Sequence, residues 1–309
     1  MDKTALFSRQ PSGGVVAIED LALTTGNRYF VSSTQTNGLD AVGLGFGPDK
    51  PFKTLDFAIS QCTADQGDVI FVMPGHVESS SVASTEIFDL NIAGVSVIGL
   101  GEGTLRPTFT LAEATVTCVM GAAGCSISNL RFIGNITDLV AILEIEATAD
   151  GCTVEDCYFA DSASNKDALL MISVAADADR LVIQRNHFNG VVGGEATDCI
   201  LFAGGSDGTV IRDNIFTGDW KTNGAIGATA ALSKGLVIYN NMVSNADGAA
   251  GLCIKLNGST TGVIAFNALA ATKNNTESVS TTTLVHIIEN YMTDVAAAAA
   301  IISATKTVW

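Results

Sequence analysis

Basic residues are scarce in this chain of 309 residues. It has 16 Lys and Arg against 32 Asp and Glu, for a formal net charge of −16. A surface of this sign repels phosphate backbones, and no cluster of Lys and Arg offsets it, so we exclude nucleic acid as a partner. No run is long and apolar enough to span a bilayer, which excludes a membrane partner. No basic segment leads into an early apolar run, so we expect synthesis in the cytoplasm.

Proline, aromatic residues and cysteine motifs are also limited. All five prolines lie at or before Pro107, so the rest of the chain keeps every backbone N–H for strand pairing. Aromatic residues make up 6% of the chain, which argues against an extended platform for stacking sugars. The seven cysteines contain no Cys-x-x-Cys pair, the spacing typical of zinc and redox sites.

A short pattern recurs between Gly124 and Met292. Each copy has an aliphatic anchor, an Asn, Leu or Cys three residues later, and a large apolar residue five residues later. Successive anchors are 27, 29, 28, 27, 26 and 23 residues apart. Such a period is typical of a solenoid, and short runs of Val, Ile and Phe between Gly, Asn and Asp are typical of strands. The anchors are Ile127, Val154, Ile183, Ile211, Ile238, Ile264 and Ile287.

The repeat therefore predicts an all-β fold, a right-handed parallel β-helix with coils of about 23–30 residues. Equivalent residues should stack at about 4.8 Å, with Asn in the left-handed conformation at a corner and its amide bonded to the next coil. Cys125 and Cys152 share one offset and are expected on adjacent coils, as a disulfide or, preferably, as buried free thiols. The expected columns are Asn186, Asn214, Asn241, Asn267 and Asn290, and Phe132, Phe159, Phe188 and Phe216.

The chain divides into three parts. Residues 1–26 carry no repeat and are predicted to be an N-terminal arm. Residues 27–294 form the β-helix domain, and a helix at about 51–62, beginning near Pro51, is expected to cover the strand edges of its first coil. Residues 295–309 are apolar and are predicted to be either a cap on the last coil or a subunit contact.

Catalytic chemistry has one candidate position. The sequence has no Asp-Asp and none of the other motifs of polygalacturonase-like enzymes. Asp156 and Asp213 would lie two coils apart, about 9.6 Å by strand spacing, at the upper limit for an inverting glycosidase. Arg185 lies between them and would lower both carboxylate pKa values. In the neighbouring column, one residue closer to the anchors, Glu155 and Arg212 carry charges opposite to those of Arg185 and Asp213 on the adjacent positions. We interpret this group as an alternating-charge ladder and expect no catalytic residues.

The remaining candidate residues give no site. No repeated offset brings His76, His187 and His286 together, so a metal site is not expected, and His76 is interpreted as a turn residue. Trp220 is the one aromatic residue expected at the surface, as a contact or as a loop anchor. No phosphate-binding loop or calcium-loop motif occurs, and we expect no cofactor.

The segments at residues 29–31, 47–55, 62–76 and 98–101 resemble a group of tailed-bacteriophage structural proteins. The resemblance covers residues 28–292 and is strongest from Cys62 to His76. It implies a pectate-lyase-like β-helix in the virion, a capsid decoration (cement) subunit that binds the major capsid protein as a homotrimer and brings no catalytic residues. The alternative is a tailspike or receptor-binding β-helix that binds or depolymerises host polysaccharide, with a polysaccharide lyase or hydrolase as its enzymatic form.

Overall fold

The computed structural model describes residues 25–80, 85–194, 196–228, 232–248, 252–271, 278–280, 284–294 and 301–303. Three long sheets wind around one core, and within each sheet the strands from successive coils pair in parallel. From residue 126 onward, the first sheet leads into the second through a two-residue turn that we call corner one. The second sheet leads into the third through a longer connection that we call corner two. The predicted parallel β-helix is confirmed.

Strands are numbered in chain order. The first sheet contains β1 (Arg28–Val31), β2 (Val69–Val72), β5 (Ser96–Gly99), β8 (Ser126–Ser128), β11 (Thr153–Glu155), β14 (Val182–Gln184), β17 (Val210–Arg212), β20 (Leu236–Tyr239), β23 (Gly262–Ala265) and β26 (Val285–Ile288). The second contains β3 (Val77–Ser79), β6 (Thr108–Leu111), β9 (Arg131–Gly134), β12 (Tyr158–Asp161), β15 (His187–Asn189), β18 (Ile215–Gly218), β21 (Met242–Asn245), β24 (Ala268–Ala271), β27 (Tyr291–Asp294) and β28 (Ile301–Ser303). The third contains β4 (Glu86–Leu90), β7 (Thr117–Met120), β10 (Leu143–Ile145), β13 (Leu170–Val174), β16 (Asp198–Phe202), β19 (Gly224–Ala228), β22 (Ile254–Leu256) and β25 (Val279–Ser280).

The predicted columns are present. Ile183, Ile211 and Ile238 are partners in register and fully buried. The phenylalanine column is stacked, with ring centroids 4.7 Å apart between Phe188 and Phe216, and it belongs to the core. Burying a large apolar side chain contributes about 2 kcal/mol, so these repeated columns supply much of the driving force for coil stacking.

The asparagine column is also present, but corner one differs from the prediction in its backbone. The left-handed residue lies one position before each asparagine, as at Asp213 with φ 58°. Asn214 instead turns inward, where its Nδ2 donates to Ile183 O at 2.9 Å and to Asn241 Oδ1 at 3.0 Å. The inward amide satisfies buried groups of two coils, so the outward residue before it must make the turn.

The N-terminal helix is shorter than predicted. It spans Leu55–Ser60, with Thr54 as N-cap, not residues 51–62. Phe52 is buried but extended, because its backbone pairs with Val31 in a parallel bridge. The helix buries Leu55 and two further residues and packs against strands β1, β2 and β4 at the start of the core. No helix in the described ranges is long and apolar enough to cross a bilayer.

Both chain ends extend beyond the described residues. Residues 1–24 of the predicted arm lie outside them, and the three-part division stays a prediction. In the C-terminal segment, β28 pairs antiparallel with β27 and covers one edge of the last coil. The remainder of 295–309 lies outside the described residues, so a subunit contact there also stays a prediction.

All seven cysteines are free thiols. Cys125 and Cys152 lie on adjacent coils and are buried, and their sulfurs donate to the backbone carbonyls of Ile92 and Ala122. The preference for free thiols is therefore confirmed. Burial raises the pKa of Cys157 to about 12, so this thiol does not supply a thiolate at neutral pH.

Candidate functional site

The acidic candidates of corner one are held in ion pairs and hydrogen bonds. Arg185 donates from Nε and Nη2 to both carboxylate oxygens of Asp156, each at 2.9 Å, and from Nη2 to Glu155 at 2.6 Å. These hydrogen bonds to Asp156, with Glu155 second, raise the pKa of Arg185. The bidentate pair engages both carboxylate oxygens of Asp156, which leaves neither free for general acid catalysis.

The rest of this surface continues the same pattern. Arg212 donates from Nε to Gln184 at 2.8 Å, and its Nε lies 3.9 Å from the carboxylate of Asp213. Asp213 also accepts a hydrogen bond of 2.7 Å from Asn240 on the next coil. The structure therefore has the alternating-charge ladder that the sequence predicts.

The three histidines lie in separate places. His76 is fully buried near the first coil, where Nδ1 accepts the backbone N–H of Ser33 at 3.0 Å and Nε2 donates to Glu78 at 2.8 Å. It joins the loop after β1 to the second sheet, a structural role beyond that of a turn residue. His286 is exposed on the first sheet, and His187 faces outward on the second.

A basic and aromatic group lies on the outer face of the second sheet. Arg131, Tyr158 and His187 are partners in register on three successive coils. The Arg131 guanidinium lies 5.6 Å from the centroid of the Tyr158 ring, and the His187 ring meets that ring edge-on at 5.1 Å. Cation–π contacts of this kind contribute about 1 kcal/mol and hold the guanidinium in place.

Arg106 completes this group, which we call the basic strip (Arg106, Arg131, Tyr158 and His187). Burial, with the charge of Arg106 second, lowers the pKa of His187, so its imidazole is neutral at neutral pH. Among the described residues, neither arginine of the strip has a carboxylate within salt-bridge distance. Nε of Arg131 is buried without a hydrogen-bond partner.

Two unpaired guanidiniums are unusual on a chain with net charge −16. Guanidinium binds carboxylate in a planar, two-point geometry and stacks on flat rings. The strip can therefore hold an acidic group over Arg131 and Arg106, with Tyr158 and His187 contacting the rest of the ligand. Sequence reasoning missed the strip, although Arg131, Tyr158 and His187 share one offset, four residues after the anchors.

At the last coils, the outward positions in corner one and on the strand ends beside it carry mostly apolar side chains. These residues, which we call the apolar ridge, are Ile215, Tyr239, Met242, Phe266, Ile288 and Tyr291, each between 39% and 62% exposed. The rings of Tyr239 and Phe266 meet at 5.5 Å. Trp220 is fully buried against Phe216, so the expectation of an exposed contact is wrong and the alternative of a loop anchor fits.

Corner two contains buried carboxylates. Asp161 accepts the backbone N–H groups of Ala168 at 3.0 Å and Val191 at 3.4 Å. Asp198 accepts the backbone N–H of Asn223 at 2.9 Å and its side-chain amide at 3.2 Å. Burial raises the pKa of both carboxyls to about 6. These acids hold neighbouring connections together from inside.

Metal ligands do not converge in the part of the chain that the structure describes: no three His, Cys, Asp or Glu side chains there are arranged to hold an ion. The expectation that the protein needs no cofactor stays a prediction.

Comparison with known proteins gives few similarities. No family model and no curated protein matches the chain. Among solved structures, a rhamnogalacturonan lyase is 15% identical, with a TM-score of 0.44, over 81% of this chain and 75% of that one. A GH136 lacto-N-biosidase from Eubacterium ramulus is 11% identical, with a TM-score of 0.31, over 86% of this chain. This chain covers 64% of the length of the lacto-N-biosidase. At these identities and TM-scores, neither similarity carries information on chemistry.

Proposed function

We propose that this protein is a β-helix that binds a carboxylated polysaccharide along the basic strip. The observation that carries the proposal is that two arginines have no acidic partner among the described residues. Arg131 lies beside Tyr158 on the outer face of the second sheet, and Arg106 lies on the connection that enters this sheet. Carboxylate groups would pair with the arginines, and sugar faces would lie against the rings.

Binding fits the strip better than cleavage by paired carboxylates. The acids closest to it along corner one, Glu155 and Asp156, are neutralised by Arg185. Two of the acids with raised pKa values, Asp161 and Asp198, are buried and bonded to backbone N–H groups. The other two, Glu86 and Asp89, belong to the third sheet, whereas the strip lies on the second. Glycosidase chemistry needs one protonated and one charged carboxyl facing the same bond, and none of these acids offers such a pair at the strip.

The test compares two forms of one polymer. We expect the protein to bind polygalacturonate in isothermal titration calorimetry, and to bind it more weakly as salt rises because the contacts are ionic. Fully methyl-esterified polygalacturonate, which keeps the sugar backbone and lacks the charge, should bind at least tenfold more weakly. Equal binding of both polymers, or of neither, would refute the proposal.

Matched arginine variants locate the site. Arg131→Gln and Arg106→Gln should each weaken polygalacturonate binding by about tenfold, the effect of losing one charged hydrogen bond. Arg180→Gln is the control, because Arg180 is an exposed arginine paired with Asp150 on the return to the first sheet. If Arg131→Gln binds like the unaltered protein, the ligand lies elsewhere.

A second proposal keeps the structural role that the resemblance implies. In this role the protein is a homotrimeric capsid decoration subunit that binds the major capsid protein in the virion. The favouring observation is stiffness: amide hydrogen bonds run without a break from Asn186 through Asn214, Asn241 and Asn267 to Asn290. A stiff block loses little conformational entropy when it binds. Stoichiometric co-purification with intact particles would support this role, and its loss on deletion of residues 1–26 would assign attachment to the arm.

A further inference from the structure

The apolar ridge departs from the chemistry of the rest of corner one. On earlier coils two of the same three outward columns carry Glu155, Asp156, Arg185, Arg212 and Asp213, and the third carries Tyr158 and His187. On the last three coils the columns carry one charged residue, Glu289, and otherwise large apolar, alanine or asparagine side chains. The backbone is the same throughout, so the fold does not require this change.

Phe266 shows most clearly that the change has a cost. It adopts the left-handed conformation, φ 57°, which a bulky side chain adopts rarely. The same position on the other coils holds Asn, Asp, Arg or Glu, and Asn240 makes the turn one coil earlier. A strained, exposed aromatic residue where asparagine would serve points to a role outside the fold.

The size of the ridge fits an interface. Six large side chains that are each about half exposed present roughly 500 Å² of surface, given side-chain areas of about 150–250 Å². This is at the upper end for apolar patches on a monomer. Tyr, Phe and Met are enriched at the centres of protein interfaces, and charged residues are depleted there.

We propose that two copies of this chain associate through the apolar ridge. A two-fold contact would bury the patch on both copies, roughly 1,000 Å² in total, which is about the minimum for a biological interface. Each copy carries net charge −16, so copies repel one another over most of their surface. In the described columns the ridge adjoins Arg212, Asp213 and Glu289 but has no charged member of its own, so it adds little to that repulsion.

The test uses a substitution that removes the patch and relieves the backbone. Phe266→Asn should weaken self-association at least tenfold in sedimentation equilibrium, and its thermal midpoint should not fall, since asparagine adopts the left-handed conformation at low cost. Asp213→Asn, at the same corner two coils earlier, is the matched control and should associate like the unaltered protein.

The other outcomes decide against the proposal. It is overturned if the unaltered protein stays monomeric at high concentration, or if Phe266→Asn associates unchanged. Should Phe266→Asn fail to fold, Tyr239→Ser and Tyr291→Ser replace it, and unchanged association in both overturns the proposal. If Phe266→Asn loses polygalacturonate binding and still self-associates, the ridge binds sugar instead. The ridge adjoins the basic strip where His187 pairs in register with Ile215, but Arg131 lies two coils before His187, so Arg131→Gln should leave association unchanged.

Discussion

Corner one and corner two use the same acidic residue type in opposite ways. At corner one, Asp156 and Asp213 face solvent and pair with side chains of neighbouring coils, Arg185 and Asn240. At corner two, Asp198 is buried and accepts hydrogen bonds from Asn223. The first arrangement sets surface charge, and the second ties successive loops together. Solvent exposure, not residue type, therefore decides what an aspartate does in this solenoid.

The inner side of corner one should give the largest effect. Asn214→Ala would remove the side-chain partner of Ile183 O and of the backbone N–H of Asn186 in the core. Asn241 Oδ1 would still accept the backbone N–H of residue 214. Each unsatisfied buried group costs about 1–3 kcal/mol, so we expect a loss of about 4 kcal/mol in the free energy of unfolding, measured with urea. Ser244→Ala, on the exposed outer face, is the control. A loss below about 1 kcal/mol for Asn214→Ala would contradict the importance of the asparagine column.

Removing the buried charge at corner two should stabilise the protein at neutral pH. Asp198→Asn keeps both hydrogen bonds if the Asn223 amide turns over, and it avoids burying a carboxylate. The expected gain at pH 7 is about 3 kcal/mol, because the pKa of Asp198 is raised from 3.8 to about 6. Urea unfolding at pH 7 measures it directly.

The sign follows from proton uptake. The folded-state pKa of Asp198, about 6, lies above that of the unfolded chain, so the folded protein holds this proton over a wider pH range. The stabilising contribution is complete below about pH 4 and is lost as pH rises through about 6. Asp198→Asn should thus match the unaltered protein near pH 4 and exceed it at pH 7. Asp156→Asn, at exposed corner one, should show no such gain, and a similar gain there would remove the contrast between the corners.

Moving the aromatic residue of the ridge into the charged part of corner one should be moderately harmful. Asp213→Phe places a bulky side chain at φ 58° and removes the hydrogen bond from Asn240. We expect a loss of about 1–2 kcal/mol, the cost of one residue in a disfavoured backbone region. Asp213→Asn should cost much less in the same thermal unfolding assay. Equal stability of the two variants would show that Phe266 is not strained.

The smallest effect should come from the ion pairs of corner one. Arg185→Gln removes the contacts with Glu155 and Asp156, which are partly exposed, so we expect a loss of about 0.5–1 kcal/mol. The difference from the unaltered protein should shrink in high salt, because salt screens exposed charges. A loss that is large and independent of salt would mean that Arg185 has a role in packing.

Prediction from the sequence succeeded where a residue repeats along the chain. The anchors at Ile183 and Ile211 and the columns of Phe188 and Asn214 follow from spacing, because stacking brings equal offsets together. It failed for single residues without a repeat. Trp220 is buried because Gly218 leaves it room: a Cβ at that glycine would lie 2.7 Å from the indole ring. No pattern in the sequence announces such a local fit.

The candidate sites were missed for a related reason. Arg131, Tyr158 and His187 share an offset but not a residue type, so they carry no repeating chemical signal. The raised pKa of Asp161 depends on burial beneath loops of variable length, which spacing does not predict.

The sequence by itself determined the solenoid, its core columns and the acidic character of its surface, since period and composition act through every coil in the same way. The tertiary structure alone decided which corner residue turns left-handed, which carboxylates are buried, and which arginines have no acidic partner. Those outcomes depend on contacts between coils about 27 residues apart, and on which side chains reach across the gap between them.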